Sequence, residues 1–346
     1  MAIEILRLPD DAVLLTLQPL RGRPVAVLGY GNQGRAHALN LRDSGVEVVV
    51  GSREESLGTA TARGDGFVVQ AIPDAAAGAD LVILALPDEV QPRVYVEQIA
   101  PRLRPGATIG FIHGFNIHHR FIEPAPGVGV VMVAPKGPGT TLRELFRAGR
   151  GLPCLLAVER ESAGDDASRL ALAWATGIGA GRSAVIRTTF ADETVSDLFG
   201  EQAVLCGGMT ALVLAAFETL VEAGYPPELA YLECCHELKQ VADLLYARGP
   251  SGMNEAISST AEFGSFDAGP RLVDHNVRDR LRAMLADIRS GGFAERMRRD
   301  AAAGSPWLEA RRRALRSHPI EPAGKVIRSL MPWLQEPTNG SDAPNP

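Results

Sequence analysis

Asp197 and Glu201 stand four residues apart, and so do Glu233 and Glu237. If each stretch is helical, each pair projects from one helical face. Like charges at that spacing repel by only a few tenths of a kcal/mol on an exposed helix, so an isolated pair reads as a solvated acidic face. The neighbours argue for more. Leu198, Phe199, Val204 and Leu205 flank one pair and Tyr231, Leu232, Cys234 and Cys235 the other, which places the carboxylates near a core. Partly buried carboxylates need cations, and four oxygen donors without a Cys or His pattern suit Mg²⁺, with two ions expected. His236 falls between the glutamates, but a rotation of about 100° per residue turns it off their face, so it reads as structural.

A second constellation is Gly29-Tyr30-Gly31-Asn32-Gln33-Gly34. It follows the apolar run Val25 to Leu28 and opens a helix over Arg35 to Asp43, the context in which GxGxxG has meaning. Glycines allow a tight turn and close backbone approach, and the helix N-terminus offers unpaired N–H groups to a pyrophosphate. The adenosine end is ambiguous. In Gly51-Ser52-Arg53-Glu54-Glu55-Ser56-Leu57-Gly58, Arg53 and Ser56 could hold a 2′-phosphate, whereas Glu54 or Glu55 could accept from a free ribose hydroxyl and repel phosphate. NADP(H) is favoured over NAD(H), with use of both open.

These groups must be positioned by two kinds of architecture. Apolar runs at Val25 to Leu28, Val46 to Val50, Phe67 to Val69, Leu81 to Leu86, Ala107 to Ile112, Val128 to Val133 and Leu155 to Val158 alternate with helical stretches. They read as buried parallel strands of a doubly wound α/β Rossmann domain over residues 1–188. Beyond Thr188 helical periodicity takes over, and residues 189–335 read as an all-helical domain. There Asp197 to Ala223 is one long helix closed by Gly224, and Pro226 to Ala247 another closed by Gly249. Further helices fit Val277 to Ser290, Gly292 to Ala303, Pro306 to Ser317 and Pro322 to Leu330. Residues 336–346 read as a disordered tail.

Composition removes several function classes. The 346 residues carry 35 Lys and Arg against 41 Asp and Glu, a net charge of −6 with the basic residues scattered, so no footprint for nucleic acid or an anionic membrane appears. Apolar runs such as Leu81 to Leu86 and Met209 to Phe217 are shorter than the roughly 20 residues of a membrane span. Met1 to Leu20 lacks a secretory signal pattern, and four cysteines without CxxC spacing suit a reducing compartment. A cytoplasmic enzyme is expected.

The chain resembles the ketol-acid reductoisomerases, in their short class I bacterial form. The glycine loop runs into Ala36-His37-Ala38-Leu39-Asn40-Leu41. His113-Gly114-Phe115-Asn116-Ile117-His118 and Ala134-Pro135-Lys136-Gly137-Pro138-Gly139 follow two later strands. Asp197-Leu198-Phe199-Gly200-Glu201-Gln202, Phe217 to Tyr225, Glu233-Cys234-Cys235-His236-Glu237-Leu238-Lys239 and Ile257 to Glu262 extend the likeness over nearly the whole chain. The resemblance implies a Mg²⁺-dependent alkyl migration of 2-acetolactate or 2-aceto-2-hydroxybutyrate followed by NAD(P)H reduction, in branched-chain amino-acid biosynthesis. It also implies a knotted helical domain and a homodimer with shared active sites. Asp197 would bridge two Mg²⁺ ions, Glu201 would help bind one, and Glu233 and Glu237 would reach the second from the partner chain. Ser258 would bind the substrate carboxylate, and His113, Lys136 and Glu201 would be catalytic.

Four positions depart from the family pattern: Thr140 where His is usual, Val195 where Glu is usual, Arg35 where His is usual and Gly58 where a phosphate-binding Ser is common. None removes a metal ligand, but Gly58 with Glu54 and Glu55 weakens the case for strict NADPH use. The competing readings are a specialised paralogue acting on a related ketol acid, a hydroxyacid dehydrogenase with no need of four carboxylates, and a silent dinucleotide-binding homologue.

Overall fold

The computed structural model of the protein describes residues 4–7, 10–164 and 166–334; the expected tail, 336–346, lies outside the described residues. The chain separates into two compact units, Met1–Thr194 and Val195–Pro346.

The first unit is built on one sheet of nine strands: β1 (Ile5–Leu6), β2 (Val25–Leu28), β3 (Val48–Gly51), β4 (Val68–Gln70), β5 (Leu81–Leu84), β6 (Thr108–Phe111), β7 (Gly129–Pro135), β8 (Cys154–Arg160) and β9 (Val185–Arg187), in the order β1-β9-β8-β7-β6-β5-β2-β3-β4. Strands β2 to β7 are mutually parallel where they pair, and the direction of winding reverses beside β2, the place where open α/β sheets take ligands. Helices cover both faces, so the strands are apolar without alternation. Val25 and Val27 enter one core with the helix Asn32–Asp43 and Trp174, while Ala26 and Leu28 enter the other with Ile72 and Ile99.

Two features correct the sequence expectation. β8 runs antiparallel to β7, and β1 antiparallel to β9. An apolar run buried on both faces carries no mark of its direction. Gly149 at φ +71° reverses the chain after the helix Gly139–Arg147, and residues 148–153 carry it back to the edge it left. β1 and β9, at two and three residues, are too short to show a period. Within the core His37 is fully buried, where its Nδ1 accepts from Trp174 Nε1–H at 2.9 Å and burial pushes its pKa down to about 3, so it packs as a neutral ring.

In the second unit the helices Gly207–Glu222, Pro227–Tyr231 and Ile320–Ser329 share a core of Phe217, Ala230, Tyr231, Ile320, Ala323, Ile327 and Met331. The two long helices expected here are each interrupted by a π-turn, Glu201–Leu205 and Leu232–His236. In the first, Cys206 N–H donates to Glu201 O at 2.9 Å. A Cβ on Gly207 would lie 2.3 Å from Gln202 O, and one on Gly208 2.0 Å from Ala203 O, so only glycine leaves room for the wider turn. The expected close at Gly249 is a kink at φ +69°, beyond which the helix resumes to Asn254. The helix Ser259–Leu272 was not expected.

By length and composition alone the helical run Phe190–Glu222 is long and apolar enough to cross a bilayer, longer than the separate apolar runs suggest, and 6% of its most apolar stretch is buried within the chain. It carries Glu193, Asp197 and Glu201, and its uncovered face includes Val204, Leu205, Met209 and Leu212.

Candidate active site

Three elements converge on one carboxylate that sequence reasoning passed over. His113 follows β6 and Lys136 follows β7, at the carboxyl ends of adjacent strands. Opposite them the helix Phe190–Gly200 starts where Thr189 Oγ1 accepts from Asp192 N–H at 3.0 Å, and Phe190 is anchored edge-on against Phe111 at 6.3 Å. That start puts Glu193 in the first turn, where the helix dipole favours a negative charge. Its side chain is 1% exposed.

Glu193 accepts from His113 Nδ1 at 3.0 Å, from Gly114 N–H at 3.0 Å and from Lys136 Nζ at 2.9 Å. Burial pushes its carboxyl up, but the hydrogen bond and charge of His113, together with Lys136, outweigh burial and bring it down to about 2. The contact with a carboxylate, which can only accept, places the proton of His113 on Nδ1. Gly114 is required here, because a Cβ would lie 2.5 Å from Thr194 Oγ1 and 2.9 Å from Phe190 O. The missed signal was the spacing itself: Glu193, Asp197 and Glu201 repeat every four residues.

The helix continues from Glu193 to Asp197, so the next turn carries the second carboxylate on the same side. Both oxygens of Glu193 are engaged by three donors, and Asp197 offers a carboxylate oxygen of the hard kind that Mg²⁺ takes.

The other expected carboxylates are placed differently from the sequence reading. Glu201, Glu233 and Glu237 are exposed, and Val204 and Leu205 are 61% and 62% exposed rather than packed around them. Of the flanking residues, Leu198 and Tyr231 do reach the interior. Both π-turns fall on these carboxylates, one beginning at Glu201 and one holding Glu233 and ending just before Glu237. Ser258 is exposed and caps the helix Ser259–Leu272, its Oγ accepting from Ala261 N–H at 3.2 Å.

The glycine loop has the shape of a cradle. Gly29, at φ +99°, has Ala85 O 2.6 Å from where a Cβ would be, and Gly34 has Gly29 O at 2.3 Å, so both are packed against protein. Around Gly31 a Cβ would meet nothing within 4 Å. That opening lies at the N-terminus of the helix Asn32–Asp43, which starts three residues earlier than expected, and it fits a pyrophosphate. The side chains of Asn32 and Gln33 are directed elsewhere: Asn32 Oδ1 accepts from Gly139 N–H at 2.6 Å and Gln33 Nε2 donates to Gly137 O at 2.9 Å. They tie the Lys136 loop to the cradle. In the adenosine-side loop Arg53, Glu54 and Glu55 are exposed, whereas Ser56 Oγ accepts from Thr59 N–H at 3.1 Å as a helix cap and lies 2.9 Å from Ser52 Oγ.

A Rossmann unit whose glycine cradle is tied to the loop of a lysine that meets a histidine on one buried carboxylate, followed by a helical unit, defines a two-domain nicotinamide-dependent oxidoreductase. Comparison with known proteins specifies it further. Residues 19–184 match the family described as acetohydroxy acid isomeroreductase, NADPH-binding domain, and residues 190–333 the ketol-acid reductoisomerase C-terminal domain. An NADH-preferring ketol-acid reductoisomerase from an uncultured archean is 42% identical, with a TM-score of 0.90 over 95% of this chain and 99% of that one. A semialdehyde dehydrogenase NAD-binding protein from Cupriavidus necator (21% identity, TM-score 0.59, 78% of this chain and 99% of that one) shares the fold. The chain belongs to the ketol-acid reductoisomerase family, and its activity is the NAD(P)H-dependent ketol-acid reductoisomerase reaction.

Proposed function

We propose that Asp197 with Glu201, and Glu233 with Glu237 supplied by a partner chain, hold two Mg²⁺ ions over a 2-hydroxy-3-keto acid such as 2-acetolactate, and that Ser258 binds its carboxylate. The hard oxygen donors suit that ion, which would act as a Lewis acid on adjacent substrate oxygens, and the nicotinamide would supply the reducing equivalent. The chain's own contribution is placement and proton handling. Glu193 fixes His113 and Lys136 in register and holds the Nδ1 proton of His113, which serves as general base towards the substrate's tertiary hydroxyl. Lys136, its ammonium anchored by Glu193 at 2.9 Å, stabilises oxyanion charge as the alkyl group migrates. The single observation that carries this reading is the convergence of His113 and Lys136 on Glu193, one helical turn before Asp197 in the same helix.

Homodimerisation accounts for the exposed Glu233 and Glu237 and for the uncovered apolar face of Phe190–Glu222, and the enzyme works in the cytoplasm. NADH serves this enzyme as well as NADPH. Arg53, exposed in the adenosine-side loop, can meet a 2′-phosphate, while Glu54 and Glu55 beside it can accept from a free ribose hydroxyl, and Ser56 caps the helix that follows. Oxidation of NADPH and NADH with 2-acetolactate, with Mg²⁺ and then with excess chelator, tests both points. Chelator-sensitive turnover with both cofactors is expected; turnover that survives chelation would refute the metal assignment, and turnover with NADPH alone the cofactor assignment.

A further inference from the structure

Asp65 joins the two arms of the nucleotide cradle. It closes the helix Leu57–Gly64, whose first turn is capped by Ser56 of the adenosine-side loop. Its carboxylate accepts three hydrogen bonds from the other arm: Tyr30 Oη–H at 2.8 Å and Arg35 Nε at 2.7 Å on Oδ2, and Arg35 Nη2 at 3.2 Å on Oδ1. Its backbone oxygen accepts from Arg42 Nη1 at 2.6 Å. The Arg42 guanidinium lies 4.7 Å over the Phe67 ring, which meets the Tyr30 ring edge-on at 5.7 Å. Gly58 closes the junction, where a Cβ would come within 3.3 Å of Tyr30 O. Tyr30 itself stands between tightly packed Gly29 and open Gly31, so whatever holds its ring also holds the cradle's N–H groups.

We infer that Asp65 is a positioning residue for the nicotinamide cofactor, fixing through Tyr30 and Arg35 the spacing between the glycine loop and the adenosine-side loop. A dinucleotide must touch both, and arms already at the right separation spare the cost of ordering them on binding. The two-pronged contact explains arginine at position 35, since a guanidinium matches both carboxylate oxygens at once and an imidazole does not. The inference rests on the glycine loop being the nucleotide cradle.

Its test is fluorescence titration of NADH and NADPH into the full-length enzyme, with steady-state kinetics, for wild type, Asp65→Asn and Tyr30→Phe. Asp65→Asn is expected to raise Kd and KM for both cofactors about tenfold, leaving their ratio unchanged and kcat at saturation within about twofold. Tyr30→Phe shifts the same quantities less. Reduced thermal stability with unaltered cofactor Kd would overturn the inference, as would a loss confined to one cofactor, which would make Asp65 a specificity contact. If Asp65→Asn does not fold, Tyr30→Phe decides, because it keeps the Arg35 pair, and an unchanged Kd then overturns the proposal. Wild-type protein that binds neither nucleotide would overturn the cradle assignment itself.

Discussion

Replacing Glu193 by Gln removes one charge and little volume from the centre of the site. The carboxyl falls from an ordinary 4.5 to about 2 on folding. At 1.36 kcal/mol per tenfold, that shift stabilises the folded chain by roughly 3 kcal/mol at neutral pH. Because the folded value is the lower one, this contribution is present in full above the unfolded pKa and is lost as pH falls towards the folded pKa. It drops to about 2 kcal/mol at pH 3.5. His113 and Lys136 are 19% and 34% exposed on their side chains, so water screens part of the interaction, and about 2 kcal/mol is the expected loss for Glu193→Gln at pH 7. The assay is urea unfolding of wild type and variant with chelator present, at pH 7 and pH 3.5, alongside turnover with Mg²⁺ at pH 7. A gap that narrows on acidification is expected, together with a fall in kcat of about a hundredfold as Lys136 and His113 lose their anchor. Equal stability at pH 7, or a gap that widens in acid, would refute the electrostatic account of this carboxylate.

The glycine cradle makes a paired prediction. Gly31→Ala, with open space and no backbone strain, should leave the melting temperature within about a degree yet weaken cofactor binding at least tenfold. Gly34→Ala, forced against Gly29 O, should instead destabilise the fold by about 1–3 kcal/mol, as overpacking does, and calorimetry with cofactor titration separates the two. Gln33→Ala releases the Gly137 carbonyl and should lower kcat severalfold with little change in cofactor KM; a rise in KM alone would make Gln33 a cofactor contact. Asp197→Asn and Glu237→Gln should each be inactive, but if sites are shared between chains their mixture should regain about a quarter of wild-type turnover through hybrid dimers. No recovery on mixing would place both residues in sites built from one chain.

Much of the fold was legible because local physics wrote it into the chain. Apolar strand runs, the glycine loop before its helix and the change of period past Thr188 each depend on residues close in sequence, and the strand cores at Val25–Leu28 and Leu81–Leu84 lie where expected. Strand direction was not legible, since a run buried on both faces looks alike in either sense, and β8 shows it. Helix continuity failed for a related reason. A π-turn at Glu201 adds a backbone offset that side-chain periodicity averages away, although Gly207 and Gly208 recorded it.

What the sequence determined by itself is therefore the chemistry on offer: a phosphate cradle, acidic residues at helical spacing, and a lysine and a histidine after strand ends. Which of these groups meet was decided only by tertiary structure. Glu193 lies 80 residues from His113 and 57 from Lys136, and nothing local links them. The sheet order places β6 beside β7, and the helix Phe190–Gly200 brings its first turn down on both. Their meeting at that junction turns an unremarked glutamate into the carboxylate that orients the site, because His113 and Lys136 outweigh the burial that by itself would favour its neutral form.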